Sequence, residues 1–241
     1  MAVANIIVTD GEPAIDRFRS GKAYTIAQAA RLADTTPATV RRWLVGYAAP
    51  GHRMAPVFGA KQQPEEGEQL LVSFLELVEI AVVARFRQGA EGHPVSLDRL
   101  RRAHAYARDA FNLPYPFASL NLRERGGHVL HEFAEQRDSG AHGLVLSLNG
   151  QWELPGLVRQ ELRHLDFEQR DSLALRWFPK GRSVPIVLDP RIAAGRPVIY
   201  RRGVTLETIA ARWRAGEPIT SIAEDYELEP STVESVLRYA A

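Results

Sequence analysis

The sequence predicts an α+β protein that is mainly α, with helical units at both ends and a small α+β domain between them. Apolar residues recur at helical spacing over residues 24–110 and again over 206–237. From residue 111 the pattern changes to short strand-like runs, bounded by glycine- and proline-rich stretches. The predicted parts are an arm over residues 1–23 and domains over residues 24–112, 113–182 and 183–241.

The first helical unit is predicted over residues 24–44, as two short helices joined by a tight turn at Asp34 and Thr35. Thr25 and Thr36 are of the type that caps helix N-termini, and Pro37 suits a first helical position, where its missing N–H costs nothing. This arrangement predicts a helix-turn-helix. Its predicted buried positions are Ile26, Ala29, Ala30, Ala33, Val40, Trp43 and Leu44.

Two longer helices are predicted after this pair. Residues 46–64 contain six glycines and prolines, which predict a loop or a short wing hairpin. Apolar spacing then predicts a helix over about 73–88, ended by Gly89, and a helix over 97–110, capped by Ser96. The arginines within residues 99–108 are interpreted as a solvated helix face, which is the usual role of such charge runs.

The middle domain is predicted to combine strands with one helix. Residues 117–122 and 128–133 flank the segment RERGG, which predicts a β-hairpin. The other predicted elements are strands over 143–150 and 173–178, a helix over 155–165 and a linker over 179–185.

The C-terminal domain repeats the pattern of the first helical unit. AARLADTTPATVRRWL aligns without a gap with IAEDYELEPSTVESVL, which places Ala30 on Ala223 and Pro37 on Pro230. After the extended segment VIY, apolar spacing predicts three helices, the last starting at Pro230. Two copies this far apart indicate a shared architecture rather than a repeat array.

The two units differ in surface charge. Residues 17–53 contain seven basic residues and one acidic residue, although the net charge of the chain is only +1, whereas residues 184–241 contain seven bases and eight acids. A phosphate backbone requires a local excess of positive charge, so we expect the first unit to bind duplex DNA and the second to bind protein. The predicted DNA-binding residues are Thr25, Thr36, Ala38, Thr39, Arg41, Arg42, His52 and Arg53.

Plainer interpretations of these segments remain open. A buried helical pair with solvated arginines would give the same pattern over residues 24–44, and His52 and Arg53 also fit an ordinary loop. Recognition by helix 37–44 is favoured because the caps, the turn, the small Ala30 and the local charge agree. One short helix buries little surface, so we expect a homodimer on DNA.

Residues 24 to about 110 resemble the DNA-binding half of MerR-type regulators, through YTIAQAARLADTTPATVRRW, a wing region, SFLELVEIAVVARFRQ and VSLDRLRR. Residues 187–240 resemble domain-of-unknown-function family 433, although Arg201-Arg202-Gly203 replaces the usual Gly-Thr-Arg. The order of these parts resembles the larger VapB-type antitoxins. That resemblance implies a partner toxin with a PIN-like ribonuclease fold and autorepression of the shared operon.

The resemblance also directs attention to arginines that could neutralise such a toxin. A metal-carboxylate ribonuclease site is acidic, so an entering guanidinium would pair with its carboxylates and displace the metal. Arg196, Arg201 and Arg202 lie in a predicted extended stretch and are the candidate toxin-binding residues. A stand-alone MerR-like regulator with a small-molecule-sensing middle domain is the alternative, and an assembly protein that binds no DNA is a third possibility.

Composition and motifs exclude several other classes. The chain lacks cysteine and any apolar run long enough for a membrane span, and its first residues do not form a signal peptide, so we expect a cytoplasmic protein. No catalytic or phosphate-loop motif is present, so we expect neither an enzyme nor a cofactor.

Other polar and aromatic groups receive plain interpretations. A metal site is disfavoured because His128 and His131 would point to opposite faces of a strand and could meet His142 only through folding. The carboxylates of Asp166, Glu168 and Asp171 are interpreted as a solvated strand end. The aromatic side chains predicted to lie in the core are Trp152, Trp177 and Phe178.

Overall fold

The computed structural model describes residues 17–49, 51–59, 68–89, 94–135, 144, 146–148 and 151–240, and it is α+β and mainly helical. The helices are α1 (Arg17–Ser20), α2 (Ile26–Leu32), α3 (Pro37–Val45), α4 (Phe74–Gln88), α5 (Leu97–Phe111), α6 (Leu120–Glu135), α7 (Gly156–Arg163), α8 (Leu206–Arg214), α9 (Ile219–Asp225) and α10 (Pro230–Ala240). The strands are β1 (Lys22–Thr25), β2 (Tyr47–Ala49), β3 (His52–Met54), β4 (Leu71–Ser73), β5 (Leu146–Leu148), β6 (Gln151–Glu153), β7 (Leu165–Phe167), β8 (Ala174–Trp177), β9 (Ile186–Val187) and β10 (Val198–Ile199).

The strands form small antiparallel pairs rather than one sheet. β1 pairs with β4, β2 with β3, β5 with β6, β7 with β8, and β9 with β10. Each pair is too short to be stable by itself, so it depends on the helices around it. None of the helices within the described residues is long and apolar enough to cross a bilayer.

Helix α4 is buried along almost its whole length. Ser73 caps it by accepting from the Glu76 N–H, while the Glu76 carboxylate accepts from the Ser73 N–H at 2.6 Å, and Gly89 at φ 78° ends it. Its core positions include Phe74, Leu77, Val78 and Ile80, among others. A helix with apolar residues on most of its circumference belongs in a core rather than on a surface.

The core around α4 extends across much of the chain. One cluster of buried residues runs from Tyr24 to Leu188 and includes Phe117 and Leu130 from beyond the predicted boundary at residue 112. A second cluster, from Ile186 to Val236, lies within the range predicted for the C-terminal domain. The described residues of the range 24–112 therefore share their core with the middle of the chain.

Most predicted helices and strands are confirmed. The cap residues Thr25, Thr36, Ser73 and Ser96 all accept hydrogen bonds from the first turn of their helices. The range predicted as a loop or a short hairpin contains the hairpin β2–β3, and the predicted C-terminal helices are α8, α9 and α10. Within the range predicted as an arm, residues 17–20 form α1 and β1 begins at residue 22; residues 1–16 lie outside the described part of the chain.

The hairpin predicted around RERGG is wrong, because Leu120–Glu135 forms helix α6. Leu122, Gly126 and Leu130 are buried four residues apart, on one face of that helix. A Cβ at Gly126 would lie 3.0 Å from the side chains of Leu122 and Leu154. The glycine therefore permits close packing of Leu154 against the helix and is not a turn residue.

This correction also changes the placement of two histidines. His128 and His131 are three apart on α6, so they lie on the same side of a helix and not on opposite faces of a strand. His142 lies outside the described residues. In the described part of the chain, no group of three or more His, Asp or Glu side chains could hold a metal ion.

The structure also shows the positions of most of the aromatic residues and carboxylates discussed in the sequence analysis. Trp177 and Phe178 are buried, as predicted, and the side chain of Trp152 lies outside the described part of the structure. Two of the three carboxylates predicted as a solvated strand end form ion pairs, whereas Glu168 accepts from the Gln169 N–H. Asp166 forms ion pairs with Arg176 and Arg182, and Asp171 forms one with Arg19.

The repeated sequence pattern has a counterpart in structure. The turn between α2 and α3 has Asp34 at φ 55°, and the turn between α9 and α10 has Glu227 at φ 50° at the aligned position. The Thr35 N–H donates to the Ala30 carbonyl at 2.9 Å, as the Leu228 N–H does to the Ala223 carbonyl at 2.8 Å. The small residue, the left-handed turn residue and the helix-starting proline therefore recur in both units.

Tyr24 joins the first core cluster to the segment before β10. Its buried hydroxyl donates to the Gly195 carbonyl at 2.8 Å, and Gly195 at φ 78° has no space for a side chain, since a Cβ would lie 2.3 Å from that hydroxyl oxygen. Burial, helped by the charge of Asp189, raises the pKa of Tyr24, so the phenol stays protonated and remains a donor.

We predict that Tyr24→Phe lowers the free energy of unfolding by about 1–3 kcal/mol, because it leaves the buried Gly195 carbonyl without its partner. Urea denaturation followed by circular dichroism measures this change. Tyr47→Phe is the matched control, since the half-buried Tyr47 hydroxyl has no hydrogen bond to a described residue. An equal effect of both substitutions would contradict the assigned role of Tyr24.

Candidate nucleic-acid interface

Helix α3 presents one polar side to solvent because its other side is fixed in the core. Val40, Trp43 and Leu44 are buried, with 0–3% of their surface exposed. The side chains of Ala38, Arg41 and Arg42 are exposed. The buried residues set the rotation of the helix, so both arginines face away from the protein.

The start of α3 is held by its cap. The Thr36 hydroxyl oxygen accepts from the Thr39 N–H at 3.2 Å, and the Thr36 hydroxyl donates to that of Thr39 at 2.9 Å. At the start of α2, Thr25 accepts from the Gln28 N–H, and the Gln28 side-chain oxygen accepts from the Thr25 N–H. All three threonines predicted to contact DNA thus also hold helix N-termini.

The hairpin β2–β3 follows α3 directly and is anchored at its base. The Val57 N–H donates to the Trp43 carbonyl at 2.7 Å, and the Arg101 Nε donates to the Ala55 carbonyl at 2.6 Å. The sequence pattern predicts that Arg101 lies on a solvated helix face, but its hydrogen bond to Ala55 holds the base of the hairpin. Only the long-range fold brings residue 101 beside residue 55, and no local pattern signals it.

The positions of the predicted hairpin residues are only partly described. Arg53 is exposed, and His52 pairs with Ala49 in the strand ladder, but the His52 side chain lies outside the described part of the structure. The Arg42 guanidinium lies 5.5 Å from the centre of the Tyr47 ring, a cation–π distance that connects α3 to the hairpin.

Not all seven basic residues within residues 17–53 are available to bind a phosphate backbone. Arg19 is buried and donates twice to Asp171, at 2.6 and 3.1 Å, and Lys22 forms an ion pair with the buried Glu76. Both bases therefore serve the fold. Apart from Lys22, the exposed bases of residues 17–53 are Arg17, Arg31, Arg41, Arg42 and Arg53, and Asp34 is the one acidic residue in that range.

Arg31, Arg41 and Arg53 form no ion pair with another described residue. Arg31, absent from the predicted contact set, lies on α2, the first helix of the pair. Arg31 is one of the seven basic residues counted within residues 17–53. Residue spacing alone does not show which side of α2 faces solvent.

The three candidate toxin-binding arginines are not equivalent. Arg196 donates to the Ala193 carbonyl and contacts Glu207 at 3.5 Å, and Arg202 binds both the Glu227 carboxylate, at 2.6 Å, and the Glu227 carbonyl, at 2.8 Å. Arg201 is exposed, has φ 67°, and places its guanidinium 5.4 Å from the Tyr200 ring centre. Within the described residues, Arg201 alone of the three forms no ion pair.

The chain is similar to known proteins over most of its length. Residues 186–240 match a family of proteins of unknown function, DUF433. Over 225 residues the chain is 27% identical to "Putative antitoxin VapB45" of Mycobacterium tuberculosis. The aligned region covers 89% of this chain and 92% of that protein. It is also similar to the X-ray crystal structure of Rv2018 from Mycobacterium tuberculosis, with a TM-score of 0.75 and 28% identity over 90% of this chain and 97% of that one. The chain is antitoxin-like over most of its length.

The Arg19–Asp171 pair predicts a pH dependence of stability. Burial alone would raise the pKa of Asp171, but the hydrogen bonds from Arg19 and the Leu173 N–H outweigh it and hold the pKa below its ordinary value of 3.8. A lowered folded-state pKa contributes stability above the unfolded-state pKa, and this contribution is lost as the pH falls through the folded-state pKa.

We therefore predict that Asp171→Asn costs roughly 3 kcal/mol at neutral pH, because it leaves a buried guanidinium unpaired. Its stability should also fall less steeply than that of the wild type below about pH 4. Urea denaturation across a pH series measures both effects. Asp109→Asn is the control, because that carboxylate is exposed and pairs with its neighbour Arg108. Parallel pH profiles for Asp171→Asn and the wild type would contradict this account.

Proposed function

We propose that this protein is a DNA-binding antitoxin that acts without catalysis, neutralising a PIN-like ribonuclease toxin by direct binding and repressing its own operon. The observation that carries the DNA-binding part is the exposed Arg41–Arg42 pair, on a helix whose opposite side is fixed in the core. The similarity to a protein named as an antitoxin supports the toxin-binding part.

In this proposal, α2, α3 and the hairpin β2–β3 form a MerR-like winged helix-turn-helix. Helix α3 lies in the major groove, where Ala38, Thr39, Arg41 and Arg42 face base edges and phosphates. Arg53 on the hairpin contacts the phosphate backbone. A homodimer supplies the second recognition helix, because one short helix buries too little surface for tight specific binding.

Toxin neutralisation is assigned to the C-terminal domain, through Arg201. A guanidinium that already pairs with a carboxylate of its own chain must break that pair before it can bind another. Arg202 is held by Glu227, whereas Arg201 forms no ion pair with a described residue. Arg201 is therefore the better placed of the two to enter an acidic, metal-binding ribonuclease site.

We predict that Arg41→Ala with Arg42→Ala weakens operator binding and reduces the slope of log K against log salt by about 2, because two phosphate-neutralising charges are removed. Fluorescence anisotropy with duplex DNA from upstream of the gene, over a salt series, measures both quantities.

The control for that experiment is Arg125→Ala with Arg238→Ala, which removes the same charge from exposed positions on α6 and α10. The control should keep the affinity and the salt slope of the wild type. Equal losses in the two double variants would mean that general charge, not α3, attracts DNA, and would overturn the assignment.

For the toxin, we predict that Arg201→Gln leaves the complex with the co-purified partner intact but releases its ribonuclease activity, because the blocking guanidinium is lost. Tagged protein is purified from the native host, the partner is identified by mass spectrometry, and cleavage of RNA by the complex is assayed. Arg238→Gln, in the same domain, is the control and should keep the ribonuclease inhibited. Full inhibition by the Arg201→Gln complex would exclude Arg201 as the blocking residue.

A further inference from the structure

A cavity of about 180 Å³ lies between α2 and the C-terminal domain. One wall is formed by Gln28 and Arg31 of α2. The facing walls come from the segment before α8, from α8 itself and from α10, and the residues they contribute are Arg196, Pro197, Thr205, Leu206, Glu207, Ala210, Arg214 and Tyr239. The cavity therefore joins the proposed DNA-binding unit to the proposed toxin-binding unit.

The charge of the cavity walls is positive. Arg31, Arg196 and Arg214 are opposed by Glu207, which leaves a net charge of +2. Arg31 and Arg214 form no ion pair with another described residue, and the Arg196–Glu207 contact is long, at 3.5 Å, between two exposed side chains. Such a surface pair contributes little, so it does not prevent Arg196 from binding another anion.

The Tyr239 hydroxyl adds an unused donor. Its oxygen is buried and has no hydrogen-bond partner among the described residues, although buried polar groups are nearly always bonded. Burial raises the pKa of Tyr239 to about 12, against the opposing effect of the nearby Arg31, so the phenol is protonated at neutral pH. A protonated phenol in the cavity wall therefore adds no negative charge that would compete with a bound anion.

We propose that this cavity binds the phosphate group of a small phosphorylated molecule. A phosphate carries up to two negative charges, which matches the net charge of the walls, and its oxygens accept the forked hydrogen bonds of guanidinium groups. The cavity is smaller than most sites for drug-sized ligands, which suits a phosphate with little attached to it. A concave site of this size encloses a small anion better than it fits the convex backbone of a duplex.

A phosphate held here would contact α2 on one side and α8 and α10 on the other. Binding would favour the arrangement in which these elements are close together. This site rests on the cavity and its charges alone, so it stands whether or not the chain binds a toxin.

The test is isothermal titration of the full-length protein with inorganic pyrophosphate at low ionic strength. The expected result is saturable binding that becomes about tenfold weaker in Arg31→Gln and in Arg214→Gln, since each removes charge-assisted hydrogen bonds. Arg238→Gln is the matched control, because this exposed arginine precedes Tyr239 on α10 and does not line the cavity. Thermal unfolding of each variant confirms that it is folded.

Two outcomes would overturn the proposal. One is the absence of saturable binding, or equal affinity in the wild type and both cavity variants. The other is loss of binding to an arbitrary duplex in Arg31→Gln and Arg214→Gln without any pyrophosphate binding by the wild type, which would assign these arginines to the DNA backbone. Tighter binding of a nucleoside diphosphate than of pyrophosphate would support the site and extend it to the attached group.

Discussion

The burial of helix α4 is the constraint on which the rest of the structure depends. A helix with two buried carboxylates, Glu76 and Glu79, can be stable in a core only if each carboxylate is bonded. Glu76 binds the Ser73 N–H and Lys22, while Glu79 is 3.0 Å from the His104 Nε2 and accepts from the Phe117 N–H. These bonds hold β1, α5 and the turn before α6 around one axis, and β1 leads directly into α2. The orientation of α2 and α3 thus follows from how the carboxylates of α4 are bonded.

The elements that sequence patterns predicted are those whose signals are local. Caps, helix-starting prolines and apolar spacing lie within a few residues, so α3, α4 and α10 could be located from the order of residues alone. The error at α6 has the opposite cause. Two adjacent glycines are typical of a turn, but the role of Gly126 is set by Leu154, 28 positions away, and nothing near Gly126 in sequence reveals that contact.

In the candidate interface, too, features set by nearby residues could be predicted and features set by distant contacts could not. The exposure of Arg41 and Arg42 follows from helical spacing and could be predicted. The burial of Arg19 in an ion pair could not be predicted, because its partner Asp171 lies 152 positions away in sequence. The cavity between α2 and α10 was also beyond sequence reasoning, since its charged walls come from both ends of the chain.

The matching turns at Asp34 and Glu227 have a consequence for how such a fold can be altered. In both units the turn is formed by a small buried alanine, one left-handed residue and a proline that starts the second helix, whereas the charged residues lie farther along that helix. The exposed residues of the second helix can then differ while the backbone stays the same. The arginines of α3 and Glu234 of α10 are an example. A designer could exchange the outward residues of one unit for those of the other and change the partner while keeping the fold.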